Sequence, residues 1–221
     1  MMIEPLDFSL PEHLAPFPHN PQNKDWMAKL QNFRMWNICG RNQEWLQGAR
    51  VLDLGSSEGR MAYASLYYGG ESVHGIDLYQ RFVDVCRRAM PEQSFSVGDI
   101  RDYLEETEEE YDVIVCAGVL YHLTEWDRIF AGFKRMFDRG VQIVIGDTAV
   151  TQPDRELALA KHDCDHDCIW PYVSELEKQA EKNGLEFRMR EWEQEPFPEA
   201  VENYGHHRKL YSIVKKVQKS D

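Results

Sequence analysis

The feature that most constrains the fold of this 221-residue chain is an alternation of apolar strands with helices between residues 49 and 146. The segments VLDL, VIVCA and VQIVI are short and largely apolar, which is typical of central strands buried on both faces. The alternation therefore predicts a parallel sheet with helices on both sides. Two late strands, at 186–192 and 210–217, have no helix between them and predict an antiparallel hairpin at one sheet edge.

The composition is typical of a globular protein of the cytoplasm. Hydrophobic residues make up 43% of the chain, yet no apolar run reaches the ~18 residues of a membrane span. The N-terminus carries acids and prolines where a secretory signal has basic and apolar residues. Five cysteines, an odd number, do not indicate a disulfide framework. We expect no membrane partner, and the sequence gives no indication of oligomeric state.

The chain divides into two parts at about residue 47. Five prolines in the first 22 residues predict an extended arm, and apolar residues from Asp25 to Leu46 then recur at helical spacing. We expect an N-terminal arm and helical cap over 1–46 and an α/β domain over 47–221. The cap is interpreted either as a lid over a cleft or as packing against the sheet.

The sequence VLDLGSSEGR, residues 51–60, places a glycine-rich loop after the first strand. Gly55 and Gly59 permit positive φ and a close backbone approach, at the sheet edge where ligands of such folds bind. The loop is not a P-loop, because that motif needs GxxxxGK[ST], and it lacks the GxGxxG of dinucleotide-binding proteins. The ligand is thus not expected to need a full phosphate cradle.

Two carboxylates follow the next strands and indicate the ligand. Asp77 stands 18 residues after Gly59, close to the ~20 expected for a carboxylate that binds ribose hydroxyls. Asp99, in VGDI, could accept from the exocyclic amine of adenine. Ribose and adenine without phosphate predict S-adenosylmethionine (SAM).

These motifs together resemble a known family. VLDLGSSEG, GIDL, VGDI and YDVIVCAGVLYHL are similar, in order, to motifs of class I SAM-dependent methyltransferases. The resemblance covers roughly residues 45–217. It implies a Rossmann-like fold, with a seven-stranded, mostly parallel sheet and a reversed edge hairpin, SAM as the cofactor, and residues 47–221 as the methyltransferase domain. The residues we expect to bind the cofactor are Gly55, Ser57, Gly59, Asp77, Leu78, Asp99, Ile100 and Cys116.

GVLYHL also resembles a stretch of the tRNA wobble-uridine carboxymethyltransferases, which use carboxy-SAM. FRMWN, with Trp36, is similar to that family's aromatic position ahead of the first strand. The family holds the extra carboxylate with a lysine, the tyrosine of VLYH and an arginine near the last strand. Tyr121 matches the tyrosine and Arg208 the arginine, whereas Met35 precedes Trp36 where the family tends to carry a basic residue.

The expected reaction is methyl transfer from SAM to an O or N atom of a small or medium-sized acceptor. Tyr121 and His122 are the candidate catalytic residues, with His122 as a general base or, alternatively, a structural histidine. Candidate acceptor-side residues are Trp36, His166, His206 and Arg208. The alternatives are a tRNA wobble-uridine methyl- or carboxymethyltransferase, which the net charge of −13 disfavours, and a SAM-binding module without turnover.

Residues 162–168, HDCDHDC, lie within an expected substrate-side insertion over 151–170. Three interpretations stay open: an acidic segment lining the acceptor pocket, a solvated segment, and a metal site. Two histidines and two cysteines could bind zinc, but seven residues are cramped for four ligands. We expect no metal.

Overall fold

The computed structural model describes residues 24–151, 159–160, 168–193 and 208–216. Seven α-helices occur in these ranges, joined by 3-10 turns at Gly40–Asn42 and Leu120–His122. The helices are α1 (Lys24–Ile38), α2 (Gln43–Leu46), α3 (Arg60–Tyr67), α4 (Gln80–Ala89), α5 (Ile100–Glu106), α6 (Trp126–Asp138) and α7 (Val173–Lys182). None of those described is both long enough and apolar enough to cross a bilayer.

Seven strands form one sheet in the order β3-β2-β1-β4-β5-β9-β8. A second ladder of two short strands pairs β6 with β7. The strands are β1 (Arg50–Leu54), β2 (Ser72–Asp77), β3 (Ser94–Val97), β4 (Val113–Val115), β5 (Ile143–Ala149), β6 (Leu159–Ala160), β7 (Cys168–Ile169), β8 (Leu185–Arg190) and β9 (Arg208–Lys215).

The sheet confirms the predicted fold class. The first five strands pair in parallel, whereas β9 runs antiparallel to both β5 and β8. The chain order reverses between β1 and β4, so the loops after these two strands leave the sheet in opposite directions and open a crevice between them. The late hairpin places the start of β9 beside the carboxyl end of β5, where Ala149 pairs with Arg208.

Apolar cores cover both faces of the sheet. One core joins the sheet to α5, α6 and α7 through fully buried side chains such as Leu104, Phe133 and Leu176. The other core joins it to α1, α3 and α4 through Ile38, Ala64 and other buried residues. The helices predicted between Asp25 and Leu46 are α1 and α2, and they belong to this second core. The boundary at residue 47 stays a prediction.

The structure differs from the sequence prediction at the third strand. The segment FSVGDI was predicted to be extended, but β3 ends at Val97 and Ile100 begins helix α5. The Asp99 side chain accepts a hydrogen bond from the Arg101 amide and so caps this helix. The helix was missed because its seven residues, IRDYLEE, bury only Ile100 and Leu104 and give little periodicity to detect.

Candidate functional site: a cleft at the carboxyl edge of the sheet

The glycine loop between β1 and α3 folds as its sequence predicts. Gly55 and Gly59 have φ of +70° and +83°, the left-handed region that favours glycine. A Cβ on Gly55 would come within 2.6 Å of Val119 Cγ2. Ser57 also has positive φ, at 48°. The loop is therefore held tightly curved, with the N-terminal end of α3 directed toward the cleft.

Asp77 ties this loop to the end of β2. One of its carboxylate oxygens accepts from the Ser57 amide at 2.8 Å, and the other accepts from the Tyr79 amide at 2.9 Å. Burial raises the pKa of the Asp77 carboxyl, and these amide hydrogen bonds partly offset that rise. Each carboxylate oxygen can accept a second hydrogen bond, so Asp77 retains capacity for the two hydroxyls of a ribose.

An apolar rim borders Asp77. Leu78 is 58% exposed and Val97 is 43% exposed, and they are two of the three large hydrophobic residues found exposed in the described ranges. They are neighbours, because Asp77 pairs with Val97 across β2 and β3. Exposed apolar side chains beside a carboxylate with room for ribose hydroxyls would suit the face of an adenine ring.

Asp99 and Ile100, which were predicted to contact adenine, make contacts with the protein itself. The Asp99 carboxylate forms a salt bridge with the Arg101 guanidinium at 2.5 Å and also accepts from the Arg101 amide. These bonds lower the pKa of the Asp99 carboxyl, with the Arg101 side chain as the largest cause. Ile100 is buried at the start of α5. Contact between either residue and adenine stays a prediction.

Two buried polar atoms at the glycine loop lack a partner in the described part of the chain: Asp53 Oδ2 and Ser56 Oγ. Buried polar atoms are normally hydrogen-bonded, and the rare exceptions cluster at functional sites. Their position at the end of β1, beside a strongly curved loop, fits the amino-acid end of SAM, which brings an ammonium and a carboxylate. The residues present thus fit that cofactor.

Cys116 and Trp36, predicted to contact the cofactor and the acceptor, both make packing contacts in the structure. Cys116 has no exposed surface, and its carbonyl oxygen accepts from the Tyr211 hydroxyl at 2.6 Å. Trp36 packs edge-on against Tyr68, with ring centroids 6.1 Å apart, and lies against Gly40 at the end of α1. Both side chains therefore contribute to packing, and contact of either residue with a ligand stays a prediction.

Four charged and polar side chains converge beside the loop that follows β4. Asp147, fully buried on β5, accepts from Arg34 of α1 at 2.7 Å and from Arg208 of β9 at 3.0 Å. Arg208 also donates to the Tyr121 hydroxyl at 2.6 Å and lies over the Tyr121 ring. A Cβ on Gly118 would be 3.0 Å from the Arg34 guanidinium and 3.3 Å from that of Arg208. We call Arg34, Tyr121, Asp147 and Arg208 the arginine cluster.

The arginine cluster carries a net positive charge. Burial alone would raise the pKa of the Asp147 carboxyl, but the charges of Arg34 and Arg208 outweigh burial and hold that pKa below its ordinary value. Asp147 is therefore ionised and neutralises one of the two guanidinium charges. Two guanidinium groups that converge on one point form a donor set of the kind that binds a carboxylate through paired N–H groups.

Sequence reasoning found Tyr121 and Arg208 but missed Arg34 and Asp147. Arg34 stands in the FRMWN segment, two residues before Trp36. The resemblance led us to expect a basic residue directly before Trp36, where Met35 stands instead. Since helix residues one position apart point in different directions, Arg34 can reach the cleft while Met35 is buried in the core. Asp147 could have been found as the one charged residue in the apolar strand VQIVIGD.

His122 contacts a cysteine. Its Nδ1 lies 3.0 Å from the sulfur of Cys168 in β7, and its ring lies against that of Tyr121, with centroids 4.2 Å apart and planes tilted by 38°. His122 is therefore adjacent to the arginine cluster, to which Tyr121 belongs. His166 and His206 lie outside the described residues, as do residues 162–167 of the HDCDHDC stretch. The described residues contain no group of side chains suited to a metal ion.

A family model described as a methyltransferase domain matches residues 51–140, which include the glycine loop, Asp77 and Tyr121. This part of the chain is therefore similar to a methyltransferase domain. SAM is the cofactor of class I methyltransferases, in agreement with the sequence prediction and with the fit of the cleft.

Solved structures of methyltransferases share the fold of this chain. A putative SAM-dependent methyltransferase from Listeria monocytogenes matches 80% of this chain and 96% of its own, with a TM-score of 0.62 and 17% identity. Magnesium protoporphyrin IX methyltransferase from Synechocystis, crystallised with SAM, matches 92% of this chain and 88% of its own, with a TM-score of 0.60 and 15% identity. At these identities the likeness concerns the fold alone.

A curated relative is similar in sequence as well. The tRNA U34 carboxymethyltransferase of Pseudomonas aeruginosa is 30% identical over 122 residues, which are 53% of this chain and 38% of the relative. The match thus spans well under half the length of that relative.

The buried carboxyl of Asp53 should make the stability of this protein depend on pH. Burial is the largest cause that raises the pKa of Asp53 from 3.8 to about 7, and the nearby charge of Asp77 adds to it. The folded protein keeps the Asp53 proton where the unfolded chain has lost it, so the free energy of unfolding falls as pH rises through this range. Asp53→Asn lacks this titrating group, so its free energy of unfolding does not fall in this way. The free energy of unfolding of the variant should therefore rise relative to that of wild type by about 3 kcal/mol between about pH 5 and about pH 8.

Urea unfolding of both proteins at several pH values measures this difference. The exposed Asp127→Asn serves as the matched control and should track wild type at every pH. A constant difference between Asp53→Asn and wild type across the range would contradict the assignment.

Proposed function

We propose that this protein transfers the methyl group of SAM to an O or N atom of a small or medium-sized acceptor. The observation that carries the proposal is Asp77, which joins the glycine loop to the end of β2 beside the exposed Leu78. A diol-binding carboxylate next to an apolar rim and the curved loop matches the three parts of the cofactor: ribose, adenine and amino acid. A cytoplasmic location stays a prediction.

The chain's own groups would then orient the acceptor. When bound, SAM supplies an electrophilic methyl group on a sulfonium, and transfer needs the acceptor atom in line with it. Tyr121 and His122 stand after β4, on the opposite side of the crevice from the glycine loop. If the acceptor atom carries a proton, His122 is positioned to accept it, and the arginine cluster holds a carboxylate of the acceptor.

The distribution of basic residues supports a small acceptor over tRNA. A single basic patch beside the cleft would have indicated nucleic acid. Instead, Arg128 is paired with Asp102 and Glu105, Arg135 with Glu108, and Lys134 with Asp138. These acids neutralise the basic groups that a phosphate backbone would need, and the whole chain has a net charge of −13.

A second candidate is carboxymethyl transfer from carboxy-SAM, as the resemblance to tRNA wobble-uridine carboxymethyltransferases implies. The specific observation that favours it is the bond between Arg208 and the Tyr121 hydroxyl, since both residues match positions that hold the extra carboxylate in that family. Arg34 would supply the third, basic position. The arginine cluster suits a carboxylate either on the cofactor or on the acceptor.

Calorimetric titration separates the candidates. We expect wild type to bind S-adenosylhomocysteine and SAM, and no measurable binding of either would overturn the proposal. Carboxy-SAM binding about tenfold or more tighter than SAM would establish the second candidate; weaker binding would exclude it.

The variant Arg208→Lys tests the arginine cluster in the same titration. Lysine cannot reproduce the two directed hydrogen bonds of Arg208 to Asp147 and Tyr121. Binding of carboxy-SAM should therefore weaken about tenfold, while binding of S-adenosylhomocysteine is unchanged. The control Arg188→Lys alters an exposed arginine on β8 that pairs with Glu186, and it should leave both affinities unchanged. Equal losses for both ligands in Arg208→Lys would contradict the assignment.

A further inference from the structure

A short segment after β8 fastens helix α1 to the sheet. The side-chain amide of Asn37 donates to the Glu193 carbonyl at 3.1 Å, and the Asn37 side-chain oxygen accepts from the Glu193 amide at 2.8 Å. Arg41 donates to the Glu191 carbonyl at 2.7 Å and forms a salt bridge with Glu193. Asn37 is 2% exposed, so its paired bonds are shielded from water. We call residues 191–193 the strap.

Trp192 of the strap contacts both elements that carry the arginines of the cluster, helix α1 and strand β9. Its ring stacks on Phe33 of α1, with centroids 5.1 Å apart and planes 26° apart. Its indole N–H donates to the Arg208 carbonyl at 3.0 Å. Phe33 is the chain neighbour of Arg34. One side chain thus touches the residue next to one arginine and the backbone of the other.

The two arginines need such support because their charges repel each other. Arg34 and Arg208 come from elements far apart in sequence, and both bind the same carboxylate of Asp147. Their side chains are only 13% and 20% exposed, so water screens the repulsion poorly. Asp147 attracts both groups, but its attraction alone does not fix the distance between the two backbones that carry them.

We propose that Trp192 is a positioning residue that sets the spacing of Arg34 and Arg208 for one bound carboxylate. Its stacked ring fixes α1, and its N–H fixes the first residue of β9. The inference rests on the proposed function, because the carboxylate belongs to the acceptor or cofactor described above. In the ligand-free protein as well, Arg208 should lose its fixed orientation when the indole N–H of Trp192 is removed.

The test is the NMR signal of the arginine Nε–H groups in the full-length protein, assigned with Arg34→Lys and Arg208→Lys. Trp192→Phe keeps a stacked ring and removes the N–H donor. We expect the Arg208 Nε–H signal to move to the position of exposed arginines or to be lost by exchange. Trp192→His, which restores a ring N–H, should recover it. Trp45→Phe, an exposed tryptophan on α2, is the matched control and should change neither signal.

Unchanged Arg34 and Arg208 signals in a folded Trp192→Phe would overturn the proposal. So would an equal change of all arginine signals with a large fall in melting temperature, since that indicates general loosening. If Trp192→Phe fails to fold, Trp192→His is compared with wild type instead. The proposal then requires Trp192→His to retain the Arg208 Nε–H signal of wild type, and loss of that signal would overturn it. Failure of the proposed function appears separately, as absence of SAM and S-adenosylhomocysteine binding by wild type.

Discussion

Replacing Gly146 by alanine is expected to destabilise the protein by at least about 3 kcal/mol. Gly146 lies in the middle of β5, and a Cβ there would be 2.0 Å from the Cys116 carbonyl oxygen and 2.9 Å from the Tyr211 hydroxyl. The close neighbour is backbone, which cannot rotate away as a side chain could. Because Tyr211 also donates to that carbonyl, the added methyl group would disturb β4, β5 and β9 together.

Chemical denaturation of Gly146→Ala and wild type gives the difference in the free energy of unfolding. Gly98→Ala is the matched control, because the nearest atom to its Cβ is Ile76 Cγ2 at 3.9 Å and its φ is not in the left-handed region. We expect the control to stay within about 0.5 kcal/mol of wild type. A loss below about 1 kcal/mol in Gly146→Ala would mean that the strands are packed less closely than described.

Replacing Asp77 by asparagine is expected to weaken S-adenosylhomocysteine binding about 100-fold. The carboxylate can accept from both ribose hydroxyls while it keeps its bonds to the Ser57 and Tyr79 amides. Asparagine has one accepting oxygen and one donating nitrogen, so it cannot serve all four donors. Burial already disfavours the charged form of Asp77, as its raised pKa reflects, and the neutral amide should therefore be tolerated by the fold.

Calorimetry with Asp77→Asn and wild type measures this loss, and the melting temperature of each apoprotein checks folding. Asp127→Asn, which changes an exposed carboxylate at the start of α6, should bind as wild type does. Affinity of Asp77→Asn within about threefold of wild type would show that Asp77 does not bind the ribose.

The sheet was predictable because its signals are local. The apolar strands, the glycine loop and the two adjacent late strands each appear in a few consecutive residues, and all are confirmed. Helix α5 was missed because its short, acidic sequence has few buried positions, so the Asp99 cap was taken as the end of a strand. Element boundaries of this kind depend on capping and packing rather than on composition.

The candidate site was predictable where residues follow strand ends, as Gly55, Asp77 and Tyr121 do. It was less predictable where distant segments meet. Arg34 reaches Asp147 across 113 residues, and no sequence spacing indicates that contact. Cys116 follows β4 and was predicted to contact the cofactor; its side chain is buried and its carbonyl accepts from Tyr211, so that contact stays a prediction. The direction of a side chain at a strand end depends on register, which one sequence alone does not reveal.

We expect a SAM-type nucleoside to lie along the carboxyl edge of the sheet, between the Gly55 loop and Asp77. A crystal structure of the protein with S-adenosylhomocysteine tests it most directly. We predict both ribose hydroxyls within hydrogen-bond distance of the Asp77 carboxylate, the adenine beside Leu78, and the amino-acid end near Asp53. A nucleoside bound elsewhere, or an Asp77 that still bonds only to Ser57 and Tyr79, would contradict the account.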